Sequence, residues 1–279
     1  MLRISSLYIY PVKSLKGIAV AQATVDARGF QYDRHFMLVD LQGRFVTQRE
    51  VPMMATIATD LTEDMLLLSH SAMDEIRVAL SSDQHAETRK VNIWKHSGLV
   101  AEDCGDEVAN WLSLLLQGEY RLVRAGSAFE RRVTKTGARP ADTFGFADGA
   151  PLLVCNEASL ETLNRKLQDK HESPLPMDRF RPNIVVSGCM AHAEDEWNEM
   201  HADTRAGTIV LQNAGPSERC SITTTDQSNG TRDKEPLKTL ADYRRLPQHS
   251  NGVFFGCNYI NRSKQGMVRV GDTFTITSD

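Results

Sequence analysis

Over its first ninety or so residues this chain is cut into short runs that alternate apolar and polar side chains, each ended by a turn signal. That pattern leaves few folds open. A period of two puts alternate side chains on opposite faces of a strand. Ser5, Leu7 and Ile9 alternate with Ser6, Tyr8 and Tyr10 until Pro11 stops the run. Ile18–Val20 and Ala23–Val25 follow, and Arg34–Asp40 turns through Gln42-Gly43 into Arg44–Thr47. Met65–Leu68 and Ile76–Leu80 are further strands. Short strands spaced by turns predict a barrel or a sandwich.

Two helices interrupt this pattern. Asp103 is placed to cap the first, Asp106 and Glu107 suit its positive end, and Val108, Trp111, Leu112 and Leu115 line one face before Gly118 ends it. The second starts near Asn156, with Leu160, Leu163 and Leu167 as its stripe and Lys166 and Lys170 at its C-terminal end. Between them Arg131–Gly149 reads as a long loop, the kind of segment that often carries function. Phe180–Val186, Ile209–Leu211, Ser221–Thr225, Phe254–Ile260 and Met267–Asp272 read as later strands. Thr231–Pro236 reads as a mobile polar loop and Lys238–Arg244 as a short helix. The fold class expected is mainly β with a few helices.

Charge and cysteine usage exclude several functions. A net charge of −4 gives no global field for nucleic acid or an anionic membrane. No run approaches the ~18 apolar residues of a membrane span, and Met1–Tyr8 lacks the apolar core of a secretory signal. The five cysteines, at 104, 155, 189, 220 and 257, form no C-x-x-C pair. That argues against a disulfide framework, a zinc ribbon or an iron–sulfur cluster, and favours a reducing cytoplasm.

Cys220 stands out. It follows a polar loop, Pro216–Arg219, and precedes the run Ser221–Thr225, so its thiol is placed to face a cavity. Arg219 beside it favours a thiolate, which can act as a nucleophile or a soft-metal ligand. Taken alone, such a cysteine is more often a small buried hydrophobe. Three other polar islands sit at strand edges: Lys13-Ser14, Arg34 and Arg181-Pro182-Asn183. If they converged, their guanidinium forks and ammonium would suit a phosphate. Pro182 is expected to hold Arg181 extended. His35 reads as structural. The phosphate-loop, dinucleotide, nucleophile-elbow and H-E-x-x-H motifs are all missing, so an enzyme of this sequence would need a cofactor for the difficult step.

The order of these islands resembles the MOSC family of molybdenum-cofactor proteins, in the branch with an extra N-terminal β-barrel. The matching stretches are Tyr10–Ser14 with Lys16 and Gly17, Gly29–Phe36, Phe146–Gly149, Asn156–Leu160, Arg179–Val186, Arg219-Cys220 with Thr223 and Thr224, Glu235–Leu240, and Phe255-Gly256. The resemblance implies two linked barrel-like domains, residues 1–120 and 121–279, with the cofactor between them. It implies that Cys220 binds molybdenum, and that Lys13, Ser14, Arg34, Arg181, Asn183 and Arg219 hold the pterin and its phosphate.

The activity so implied is reduction of N-hydroxylated purines, amidoximes or hydroxylamines, with detoxification of N-hydroxylated bases as a role. Electrons would come from a separate ferredoxin, flavin or cytochrome protein. Pyridoxal phosphate binding is a further family-level association. The alternative implied is a molybdenum-cofactor carrier or a sulfur relay using a Cys220 persulfide; a binding module without cofactor is a third reading. Ser217 stands where relatives often have a second cysteine, and Glu218 where they often have a small hydroxyl residue. Some relatives add a C-terminal ferredoxin domain, expected to be absent here because the sequence ends at Asp279 with only Cys257 beyond Cys220.

Overall fold

The computed structural model of the protein describes residues 1–81, 86–204 and 207–277. The first half carries β1 (Arg3–Ile9), β2 (Ile18–Val20), β3 (Gln22–Asp26), β4 (Gly29–Phe30), β5 (Phe36–Val39), β6 (Ala58–Leu61), β7 (Met65–His70), β8 (Met73–Ala79), β9 (Thr88–Ile93) and β10 (His96–Asp103), followed by helix α1 (Asp106–Leu116). Then come β11 (Arg121–Arg124), β12 (Leu152–Asn156), α2 (Glu157–Asp169), β13 (Ile184–Ser187), β14 (Glu199–Thr204) and β15 (Gly207–Glu218). The chain closes with α3 (Leu237–Leu240), β16 (Phe254–Asn261), β17 (Gly266–Arg269) and β18 (Phe274–Thr277). The fold is mainly β, as the alternation predicts.

The largest sheet runs β18-β14-β15-β16-β12-β13-β1-β2. Its first-half members are β1 and β2, and β1 is antiparallel to β13 with Leu7 opposite Ile184. Conversely β11 joins the sheet β5-β11-β10-β9, with Val123 opposite Met37. Each half thus lends a strand to the other's sheet. Inward side chains of β1, β12, β13, β14, β15 and β16 make one core; α1 closes a second over β7 and β8 through Val108, Leu112 and Leu116.

Local chemistry explains the helices. Asn156 caps α2, its side chain accepting from the Ala158 N–H. That makes α2 the crossover between the parallel strands β12 and β13. Asp103 does not cap α1. It ends β10, accepts the Gly105 N–H at 2.8 Å and pairs with Arg89 and Arg121, and Gly105 takes the cap position. Helix α1 stops at Leu116 with Gln117 left-handed, one residue before Gly118.

Two loops also differ from expectation. Ser221–Thr224 is a 3-10 turn, not a strand, while Pro216–Glu218 is the end of β15. The Thr223 and Thr224 hydroxyls donate to the carbonyls of Cys220 and Ser221, which closes the turn. The segment read as mobile is tied down: Arg232 donates to the carbonyls of Gln48 and Arg49, across the boundary between the halves.

Candidate cofactor cleft

Strand ends from both halves meet at one cleft. Tyr10–Lys13, leaving β1, runs beside the entry to β5: the Arg34 N–H donates to the Tyr10 carbonyl at 2.7 Å and the Lys13 N–H to that of Phe36 at 2.8 Å. Asn183 opens β13, its N–H bonded to the Leu153 carbonyl. Cys220 follows β15, whose last pairing is Glu218 with Phe254. Gly145 lets the 131–149 loop close over the cleft, since a Cβ there would lie 2.6 Å from the Arg34 carbonyl oxygen. All seven residues singled out from sequence line this one cleft: Lys13, Ser14, Arg34, Arg181, Asn183, Arg219 and Cys220. Asp148, Ser217, Glu218 and Asn258 line it too.

Arg34 and Arg181 share Tyr10. Their guanidinium carbons lie 4.1 and 4.3 Å from its ring centre, a doubled cation–π contact. Arg34 is neutralised by Asp33 at 2.7 Å and also donates to the Asn183 side-chain oxygen at 3.1 Å and the Arg181 carbonyl at 3.0 Å. Among the described residues Arg181 has no such counterion. Its Nη1 reaches Gln227 at 3.3 Å and its Nη2 is buried without a partner. Burial lowers its pKa to about 10, with Arg34 adding to the fall and Tyr10 and Asp33 opposing it. Arg181 is not extended, as Pro182 suggested, but left-handed, with φ 56°. The pre-proline restriction bars the right-handed helical region; here Arg181 instead ends the 3-10 turn Met177–Phe180, its N–H bonded to Asp178.

Lys13 is buried and paired with Asp148. Desolvation lowers the lysine to about 8, more than Asp148 raises it. Desolvation alone would raise the Asp148 carboxyl, but Lys13, Arg49 and a 3.1 Å bond from Trp94 Nε1 outweigh it and hold it well below the carboxylate range.

The cation at the thiol is not Arg219. Arg219 turns away, to the Ser217 hydroxyl at 2.9 Å and the Phe180 carbonyl at 2.7 Å, and its Nε is buried without a partner. The contact is made by Arg49, whose Nη1 lies 3.2 Å from Cys220 Sγ. Arg49 belongs to no motif the sequence offers and is missed there, as are Gln48 and Gln227, a reciprocal buried amide pair at 3.0 and 3.2 Å. Only the 171-residue separation closed by the fold reveals Arg49. Glu218 accepts from Ser250 at 2.9 Å, and Asn258 donates to the Gly215 and Pro216 carbonyls at 3.3 Å. His35 does not line the cleft; burial lowers its pKa to about 4, which keeps it neutral.

The cleft thus gathers cations from both halves of a two-part β fold around one exposed thiol. The chain belongs to the MOSC family: the MOSC N-terminal beta barrel domain matches residues 1–119 and the MOSC domain residues 141–275. It is similar to the mitochondrial amidoxime-reducing component 1 of Mus musculus, 33% identical over 96% of this chain and 80% of that protein. The same component from Homo sapiens is also 33% identical, over 96% of this chain and 81% of that one. Among solved structures, the YuaD protein of Bacillus subtilis is a distant likeness, 11% identical with a TM-score of 0.41, covering 100% of this chain and 97% of that one.

Proposed function

We propose that the protein is a molybdenum-cofactor-dependent reductase of N-hydroxylated compounds. One observation carries this reading: two guanidinium groups of the cleft keep buried N–H groups without a partner among the described residues, while its thiol is open. Arg181 Nη2 and Arg219 Nε lack partners, which fits a phosphate-bearing group, and Cys220 is exposed, which fits a soft-metal ligand. Among the described residues no three His, Cys, Asp or Glu gather into a metal site, so a metal at Cys220 would take its other ligands from the cofactor.

In this reading Lys13, Ser14, Arg34, Arg181, Asn183 and Arg219 hold the pterin and its phosphate, and Cys220 holds the metal. When bound, the cofactor supplies two electrons that, with two protons, convert N–OH to N–H and water. Arg49 keeps the sulfur oriented and screens its charge. Asp148, ionised, keeps Lys13 Nζ in place at the cleft wall. The electrons come from a separate donor protein. A reducing compartment accords with five free cysteines.

Protein expressed in a cofactor-competent host should carry molybdenum near one per chain and reduce N-hydroxyadenine with an artificial donor. Cys220→Ser should abolish turnover. Molybdenum-free protein from such a host, or a Cys220→Ser variant at the full rate, defeats the proposal. Cofactor transfer to an apo-enzyme without turnover would favour a carrier.

A further inference from the structure

A second cavity, of about 420 Å³, opens beside the cleft and shares Asp148 and Gly149 with it. Its wall carries Lys95, His96, Arg131 and Lys135. Arg131 is 2% exposed. Three carbonyls fix its guanidinium, those of Gly145 at 3.0 Å, Ala147 at 2.5 Å and Asp148 at 3.2 Å, and it lies 4.1 Å over the Phe144 ring. Among the described residues no carboxylate bonds to it, and its Nε is buried without a partner. Lys135 lies against the shared wall: a Cβ at Gly149 would sit 2.9 Å from its Cε. Among the described residues no carboxylate pairs with Lys95 or Lys135. The carboxylate on this wall, Asp148, is already engaged by Lys13.

The cavity is therefore built around a rigid, buried guanidinium with two ammonium groups at its rim, and its lining carboxylate, Asp148, is held by Lys13. A buried charge without a partner is costly, and a phosphate dianion is what a guanidinium fork and lysines together satisfy. Trp94 joins this cavity to the cleft. Its indole is 49% exposed, with Arg49 Cζ 4.5 Å over the ring and the Phe45 ring centre 4.9 Å away, and Arg49 in turn touches Cys220. The exposed part of the indole and the guanidinium stacked on it together offer a surface against which a planar base packs.

We infer that this cavity takes the 5′-phosphate of a nucleoside monophosphate whose base lies along Trp94 toward Cys220. The inference rests on the reductase reading and sharpens it: the N-hydroxylated purine is presented as its nucleotide, not as the free base.

The test compares adenosine 5′-monophosphate with adenosine, titrated against the protein and read by tryptophan fluorescence, with Trp94→Phe assigning the signal. The nucleotide should bind at least about tenfold tighter at low salt, and added salt should shrink that advantage. In a Lys95→Ala/Lys135→Ala double variant the ratio of nucleotide to nucleoside affinity should fall severalfold. In turnover, kcat/KM for N6-hydroxyadenosine 5′-monophosphate should exceed that for N6-hydroxyadenosine, and the double variant should erase the preference. Equal binding of nucleotide and nucleoside, or a preference that survives the double substitution, overturns the inference. Because binding is read without turnover, that result leaves the reductase reading standing; loss of all N-hydroxyl reduction with nucleotide binding intact counts against the reductase reading instead.

Discussion

Replacing Arg181 with methionine should move stability and ligand affinity in opposite directions. The side chain is buried and its charge has no carboxylate of its own. A pKa brought from the ordinary 12.5 to about 10, with burial as the main cause, corresponds to about 3 kcal/mol against the charged form. Methionine removes that cost and fills similar volume. It also forfeits the bond to Gln227, worth about 1 kcal/mol, and the cation–π contact with Tyr10, worth about 1 kcal/mol. The cofactor-free protein should therefore gain about 1 kcal/mol, a rise in Tm of about 2–4 °C. Anion affinity should fall at least about thirtyfold, because one partner of a buried charge pair is gone. Melts of cofactor-free protein give the first number, and molybdenum retained after dialysis of cofactor-loaded protein gives the second. A cofactor-free Arg181→Met protein that melts well below wild type, with molybdenum retention unchanged, would show that Arg181 serves the core and would refute the reasoning.

Three further outcomes follow from the same structure. Lys13 keeps its proton only below about pH 8, so anion retention should weaken as pH rises through that value; over the same range, up to the unfolded lysine's 10.5, the cofactor-free protein should become more stable, since the unfolded chain keeps a proton the native state has released. Both are read from pH series of dialysis and urea melts. Glu194 is buried and its carboxyl pKa is raised by burial, despite bonds from Asn156 and Ser159; the native state therefore holds a proton that the unfolded chain loses, and stability falls as pH rises through the native value. Glu194→Gln, which keeps an acceptor for both donors, should raise Tm at neutral pH and flatten that slope. Arg232→Ala should cost about 1–3 kcal/mol by leaving the Gln48 and Arg49 carbonyls unpaired, and limited proteolysis should then cut within residues 225–236 faster than in wild type.

What the sequence reveals here depends on range. Alternation exposes β1 and β3 because one face of each is buried, a short apolar run exposes β7, and the Asn156 cap exposes α2 because the bond is local. β9 and β10 are missed: Thr88–Ile93 and His96–Asp103 bury too few positions to show a clear period. Ser221–Thr225 misleads because β-branched threonines favour strands, whereas their hydroxyls here bond backward and close a turn. The members of the cleft are named by the order of the family's islands, but the contact of Arg49 with Cys220 is not, since nothing local links the two. Arg219, adjacent in sequence, looks like the partner of the thiol and is aimed elsewhere by Ser217 and Phe180.

The backbone of the cleft explains why its cations stay where they are. Ser14, Arg34 and Arg181 all sit in the left-handed region, with φ of 67°, 45° and 56°. A non-glycine residue there costs of order 1 kcal/mol or more, and such residues persist only where the surroundings overdetermine them. Each is overdetermined here. The Ser14 carbonyl accepts from Gln48, the Arg34 N–H and carbonyl are held by Tyr10 and Phe146, and the Arg181 carbonyl accepts from Arg34. A left-handed residue breaks the alternation of its strand. It points its side chain out of the register that the next core residue, Leu15, Phe36 or Ile184, must keep. That is how a strand end can bury an apolar residue and, one to three positions earlier, deliver a polar one to the cleft. Glycine at these positions would relieve the strain but remove the side chain, so the strain is tied to the site and the packing of both halves sustains it.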